Sequence, residues 1–284
     1  MTPDTSPDTS PGTGLGTARA IGLGVGRSLF NAVTTVAIVL GVWVLFLRVL
    51  DVNEFVGKGP SKVWEYLFTD DDASENLSEV VGLVKTTLFD AGIGFVAGML
   101  VAVLLAVSIV LSRPAESTIM PVALLMRSVP LIAMTPVIRM VFGDGLVTIA
   151  IIAGIVVLFP ALVSIVFGLR STSAQMHDLV EVYGGSAFTT LRKVDVPSAL
   201  PSFFAAVRIS VPGAITGALI AEWLGGSGDG VGYAVVSALG RSQNTKVWAL
   251  IVVITFVSLI LYTLAQVVES LVLARMGDGV GAAR

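Results

Sequence analysis

The chain has 284 residues, of which 55% are hydrophobic and only 13% charged, with a net charge of −3 and a mean hydropathy of +0.91. Soluble domains carry about 25% charged residues, so this composition leaves too little polar surface for a water-soluble globule and points to a membrane protein. The small negative charge argues against nucleic acid as a partner, and the lack of cysteine excludes disulfides, thiolate metal sites and cysteine nucleophiles.

Residues 1–15 are rich in Thr, Pro, Ser and Gly. They cannot bury enough apolar area to offset ordering entropy, so a disordered tail is expected, running to residue 27. It does not resemble a cleaved signal peptide. A bilayer core of about 30 Å needs about 20 apolar residues in helix. Leu29–Leu47, Ala91–Ser112, Leu146–Leu169 and Val247–Val268 are long enough and uncharged. Ser117–Ile138, interrupted by Arg127, and Pro201–Trp223, with Arg208 and Glu222, complete six expected spans. Between the first two lies Asp51–Gly82, the longest outer connection, in which Val63, Trp64 and Leu67 have the spacing of a short interfacial helix.

An even number of spans puts both termini on one side. Arg19, Arg27, Arg113, Arg170, Arg192, Lys193, Arg275 and Arg284 fall on that side, against Lys58, Lys62, Arg241 and Lys246 in the opposite loops and Arg48, Lys85 and Arg139 near helix ends there, a small bias. The positive-inside rule then makes the termini cytoplasmic. The expected organisation is a tail (1–27), a six-helix membrane domain (28–274) with a cytoplasmic loop at 170–200, and a second tail (275–284).

That loop is the polar island of the chain. Met176, Leu179, Val180 and Tyr183 form an i, i+3, i+4, i+7 stripe, with Asp178 and Glu181 near its start, where a helix dipole favours negative charge. Gly184 and Gly185 supply a stop. A second helix is expected from Ser186, as N-cap, to Lys193, ended by Pro197 and Pro201. The apolar stripe needs a cover, either on this chain or in a partner's groove. His177 reads as a solvated helix residue.

Other features carry chemistry less directly. Arg127, Arg208, Glu222 and Asp90 are ionisable residues near membrane depth, which line a pathway or form internal ion pairs. Pro130, Pro136, Pro160 and Pro212 lie within spans as helix breaks or kinks. The Gly94/Gly98 and Gly213/Gly217 pairs permit close helix contact, within this chain or across a dimer. "GGSGDGVGY" (Gly225–Tyr233) lacks the Lys-Ser/Thr of a phosphate loop and reads as a flexible re-entry between the fifth and sixth spans. With one histidine and no clustered carboxylates, no catalytic residues are expected.

The 178–197 segment resembles the "EAA loop" of permease subunits in ATP-binding-cassette (ABC) importers. Asp178, Leu179 and Val180 occupy the Glu-Ala-Ala positions, Gly184 the glycine, and Val196-Pro197 the closing hydrophobic-Pro. Asp for Glu and Leu-Val for the two alanines depart from the pattern. "LMRSVPLIAMTPVIRMVFG" (Leu125–Gly143), "AAVRISVPGAITGALIAEWL" (Ala205–Leu224), "DGVGYAV" (Asp229–Val235) and "GPSKVWEYL" (Gly59–Leu67) look like segments of the nitrate/sulfonate/taurine/bicarbonate-type permeases, in the same order. Asp90 and Arg139 are unusual beside that family and take no role from it.

The resemblance implies an all-α, six-span, type I importer-like permease in the cytoplasmic membrane. It implies two ATPase subunits inside, a second permease copy, and an extracytoplasmic solute-binding protein. No cofactor belongs to this chain; ATP and Mg are expected on the ATPases. Coupling falls to Asp178, Leu179, Val180, Glu181, Val182, Tyr183, Gly184, Gly185, Ser186 and Pro197. The pathway candidates are Arg127, Pro130, Pro136, Arg208 and Glu222. The solute would be a small anion of the sulfonate, nitrate, taurine or bicarbonate kind, or a small heterocyclic vitamin precursor. The alternative is an ion-coupled secondary transporter or channel without ATPase partners, for which the buried charges are the support.

Overall fold

The fold is seen in a computed structural model that describes residues 34, 36–225 and 228–280, without the side chains of residues 127 and 276–280. The expected tail 1–27 and residues 281–284 of the second tail lie outside the described residues. The chain divides into two units, between Lys62 and Val63. In the first unit, α1 (Val36–Val49) is the described part of the expected first span. A short helix, α2 (Pro60–Trp64), crosses the division and runs into a π-helical turn, Glu65–Thr69.

The regular elements of the second unit are all helices among its described residues. It contains α3 (Ala73–Leu111), α4 (Arg113–Ser128), α5 (Leu131–Phe142), α6 (Leu146–Leu169), α7 (Ala174–Val182) and α8 (Ala187–Thr190). A second π-helical turn, Leu191–Asp195, leads into α9 (Val196–Trp223), followed by α10 (Val231–Gly240) and α11 (Asn244–Val280). Among the described residues, four helical runs are long and apolar enough to cross a membrane: α3, α6, the run from Ala187 to Trp223, and α11 up to Arg275.

Three expectations change. The predicted continuous span Ser117–Ile138 is two helices, α4 and α5, bent by 104°. The break falls at Val129-Pro130. The residue before a proline is driven out of the α region, and Val129 indeed has φ −80°, ψ 124°. Second, α3 has 39 residues, about 58 Å of helix, so the final part of the predicted outer connection is continuous with the second span. Third, Pro197 and Pro201 end nothing. The helix runs from Ala187 to Trp223, with Pro201 and Pro212 in the interior of α9. The N–H of Val196 reaches back five residues to the Leu191 carbonyl, and this wider turn lies just before Pro197, whose ring and missing N–H disturb a regular ladder.

Helix α6 is the centre of the unit, with α3 and α9 packed on it. Its buried positions include Ile149, Ile152, Ala153, Val157, Leu162 and Ile165. Lipid tails are as apolar as leucine, so close backbone approach and dispersion hold such helices together. The glycines serve that purpose within this chain. A Cβ on Gly98 would stand 2.5 Å from the carbonyl oxygen of Gly154, and one on Gly217 would stand 2.6 Å from the Cα of Ala153. The Gly94/Gly98 pair therefore seats α3 against α6, and Gly213/Gly217 seats α9 against α6 at Ala153 and Val156. Of the predicted interfacial helix, Val63 and Leu67 are buried while Trp64 faces outward and packs on Phe68, with ring centroids 4.4 Å apart.

Candidate functional site

The polar island folds as anticipated in outline and differently in detail. Helix α7 ends in a Schellman motif: Gly184 has φ +76°, its N–H donates to the Glu181 carbonyl, and the N–H of Gly185 donates to the Val180 carbonyl, both at 2.8 Å. The two glycines are needed for different reasons. Nothing lies within 4 Å of a Cβ placed on Gly184, so there the backbone angle alone demands glycine. On Gly185 a Cβ would overlap the Val180 side chain. Ser186 caps α8, its Oγ accepting from the N–H of Thr189 at 3.4 Å.

No residue of α7 is buried. Its exposed apolar side chains are Met176, Leu179 and Val182, with Tyr183 following. Val180 instead turns inward onto Gly185, so the predicted stripe loses Val180 and gains Val182. The helix begins at Ala174 and has no acidic residue in its first turn. Asp178 is therefore mid-helix and Glu181 is in the last turn, and dipole stabilisation of either does not apply. Pro197 lies in the first turn of α9.

His177 is not merely solvated. Its Nε2 lies 2.8 Å from Oδ1 of Asp195, whose side chain is only 3% exposed. With the carboxylate oxygen as acceptor, the ring hydrogen sits on Nε2. Nearby, Arg170 forms a bidentate pair with Glu116, each contact at 2.8 Å, joining the C-terminus of α6 to the first turn of α4.

Among the described side chains, Arg208 stands apart from Glu222 and Asp90. Arg208 pairs with Glu269 on α11 at 3.2 Å and lies 5.8 Å from the ring centroid of Tyr262. Glu222, fourteen residues further along α9 and thus about 21 Å away, is fully buried. Its Oε2 accepts from Thr87 Oγ1 at 3.0 Å and from the N–H of Gly232 at 2.7 Å. Thr87 Oγ1 in turn accepts from the N–H of Val231 at 2.8 Å. Two otherwise orphaned amides at the start of α10 are thereby satisfied, and a carboxyl group meets the positive end of that helix. Gly230, at φ +95°, leaves the room: a Cβ there would overlap the Glu222 carboxyl group. Residues 230–232 of the Gly-rich segment are thus a fitted seat for Glu222, while residues 226 and 227 lie outside the described residues. Asp90, 6% exposed, lies one turn along α3 from Thr87.

Arg139 closes the same end of the bundle. It pairs with Asp144 and donates from Nη1 to the Leu224 carbonyl at 3.2 Å, tying α5 to the C-terminus of α9. Pro130 is the N-cap of α5 and Pro136 lies within it. The Arg127 side chain lies outside the described residues. Nothing in local spacing announces Thr87, Asp195 or Glu269 as partners; the only sequence trace of the Glu222 seat is the glycine at 230.

A model of the family described as "binding-protein-dependent transport system inner membrane component" matches residues 94–276. A probable ABC transporter permease protein of Haemophilus influenzae is 27% identical, over 82% of this chain and 93% of that protein. The formylaminopyrimidine transport permease ThiX of Halalkalibacterium halodurans is 27% identical over 67% of this chain and 76% of its own. The putative aliphatic sulfonates transport permease SsuC of Bacillus subtilis is 27% identical over 67% and 69%. Among solved structures, a chain of the MetNI methionine ABC transporter, in inward-facing conformations, aligns with a TM-score of 0.55 at 20% identity. That alignment covers 73% of this chain and 99% of the other.

Proposed function

The chain belongs to the family of binding-protein-dependent transport system inner membrane components, and on that premise we propose how it works as the permease subunit of an ABC importer. The family is a transport family rather than an enzyme class. Two copies of the chain form the translocation pathway across the inner membrane, with both termini in the cytoplasm. Each copy presents α7 and the glycine stop after it, Asp178 to Gly185 among them, to one of two ATPase subunits that carry ATP and Mg. A solute-binding protein delivers cargo to the opposite face. ATP-driven closure of the ATPases shifts the permease from an inward-open to an outward-open arrangement, and hydrolysis resets it. Such a shift needs two arrangements close in free energy, biased by ligands that bind them differently.

The observation that carries the coupling assignment is the unburied helix α7. It shows an apolar face with Val182 and Tyr183 each 84% exposed, held by a glycine stop at the start of the rod that includes α9. An exposed amphipathic helix of this kind fits a groove on a partner. Arg208, Glu222, Pro130, Pro136 and Arg127 are proposed as groups along or beside the pathway. The cargo is proposed to be a small organic or inorganic anion or a heterocyclic vitamin precursor, on the strength of the sulfonate and formylaminopyrimidine relatives.

The test is co-purification. The doubly substituted chain Val182→Asp/Tyr183→Asp, altered only at exposed positions, should insert normally and lose its ATPase by tenfold or more. Retention of the ATPase at wild-type stoichiometry would overturn the docking assignment.

A further inference from the structure

Helix α7 is joined to the rest of the chain by weak mechanical links. Upstream lies the short connection 171–173 to α6. Downstream lies the Gly184-Gly185 joint, where Gly184 is left-handed and nothing lies within 4 Å of where its Cβ would be. A displacement of α7 would be absorbed at such a joint rather than passed through it. Yet Asp195, eighteen residues from His177, accepts its hydrogen bond across that joint. Among the described residues this is the one side-chain hydrogen bond or ion pair made by α7. Its far end is well anchored. Asp195 is buried, and it closes a π-turn whose Leu191 and Val194 are buried too. From there the helix is continuous to Trp223. The 27 residues between Asp195 and Glu222 amount to about 40 Å of helix, ending at the seat that holds α10.

We propose that the His177–Asp195 hydrogen bond is the strut that carries displacement of α7 into α9, which makes His177 a positioning residue for ATP-driven opening at the far end of the bundle. The proposal rests on α7 being the ATPase-docking helix and goes beyond it. The docking face consists of Met176, Leu179, Val182 and Tyr183, whereas His177 points back to the body of the chain. Docking and transmission are therefore separable by mutation.

The native chain has no cysteine, so a single spin label can be placed at Gln243→Cys, an exposed position between α10 and α11. In the assembled transporter, the label-to-label distance across the two permease copies is measured with and without ATP plus vanadate. Wild type should shift on ATP. His177→Ala should keep its ATPase bound and hydrolysing, while the ratio of shifted to unshifted molecules falls about tenfold, as expected for loss of a hydrogen bond to a carboxylate. His177→Gln, which keeps an N–H near the Nε2 position, should recover most of the shift. An undiminished shift in His177→Ala, or failure of His177→Gln to recover it, would overturn the strut. Loss of the ATPase from His177→Ala alone would also overturn it, by making His177 a docking residue. Failure of the wild-type chain to retain an ATPase would instead refute the docking assignment on which the strut depends.

Discussion

Replacing Glu222 with alanine should loosen the end of the bundle where α3, α9 and α10 meet. The substitution strips the acceptor from two buried donors, the Thr87 hydroxyl and the Gly232 amide. Each orphaned donor costs about 1–3 kcal/mol, which gives about 2–6 kcal/mol. Polar contacts within membranes have measured lower than that, averaging about 0.6 kcal/mol, because the unfolded chain also finds partners. The expected loss therefore sits at the lower end, about 2–3 kcal/mol. Glu222→Gln retains a carbonyl oxygen that can accept both bonds, so it should cost about 1 kcal/mol or less. The assay is equilibrium unfolding in mixed micelles titrated with SDS, followed by the intrinsic fluorescence of the four tryptophans. Amide exchange at Val231 and Gly232 should accelerate by about thirtyfold or more in Glu222→Ala, since each 1.4 kcal/mol is tenfold. An alanine variant within 0.5 kcal/mol of wild type, or a glutamine variant as damaging as alanine, would refute the role assigned to this carboxyl group.

Two further outcomes follow from the geometry. At Gly184, where φ is positive and the surroundings are open, the order of tolerance should be Gly, then Asn, then Ala, with valine worst. The alanine cost is about 1–2 kcal/mol. It should appear as loss of transport per ATP hydrolysed rather than as loss of membrane insertion, and equal coupling by valine and glycine variants would sink it. For Arg208 and Glu269, removing either partner leaves a charge largely out of water and should destabilise the chain by about 3 kcal/mol. The double variant Arg208→Met/Glu269→Leu should be closer to wild type than either single one. A double-mutant cycle in SDS unfolding checks this, and simple additivity would show that the two side chains do not act as a pair.

Much of the candidate site was legible because its determinants are local. A left-handed residue after an amphipathic turn calls for glycine, and Gly184 could be assigned from its spacing to Pro197. A serine before a helix caps it, as Ser186 does. Periodicity alone places Val180 in the α7 stripe, whereas contact with Gly185 turns it inward and leaves Val182 exposed instead. Pro197 and Pro201 were read as stops because the rule for proline is local. Here a five-residue π-turn and the packing of the long helix against α6 override it.

What the sequence by itself determined is the material of the protein: uncharged runs of span length, a polar loop between the fourth and fifth of them, and paired glycines for close helix contact. Hydrocarbon thickness and backbone sterics act on neighbouring residues and leave their mark in composition and spacing. Only the tertiary structure decided that Glu222 belongs to Thr87 and the amides of α10, that Arg208 belongs to Glu269, and that His177 belongs to Asp195. Those pairs lie 135, 61 and 18 residues apart. The burial that forces each polar group to find a partner is created by helices that meet only when the bundle is assembled.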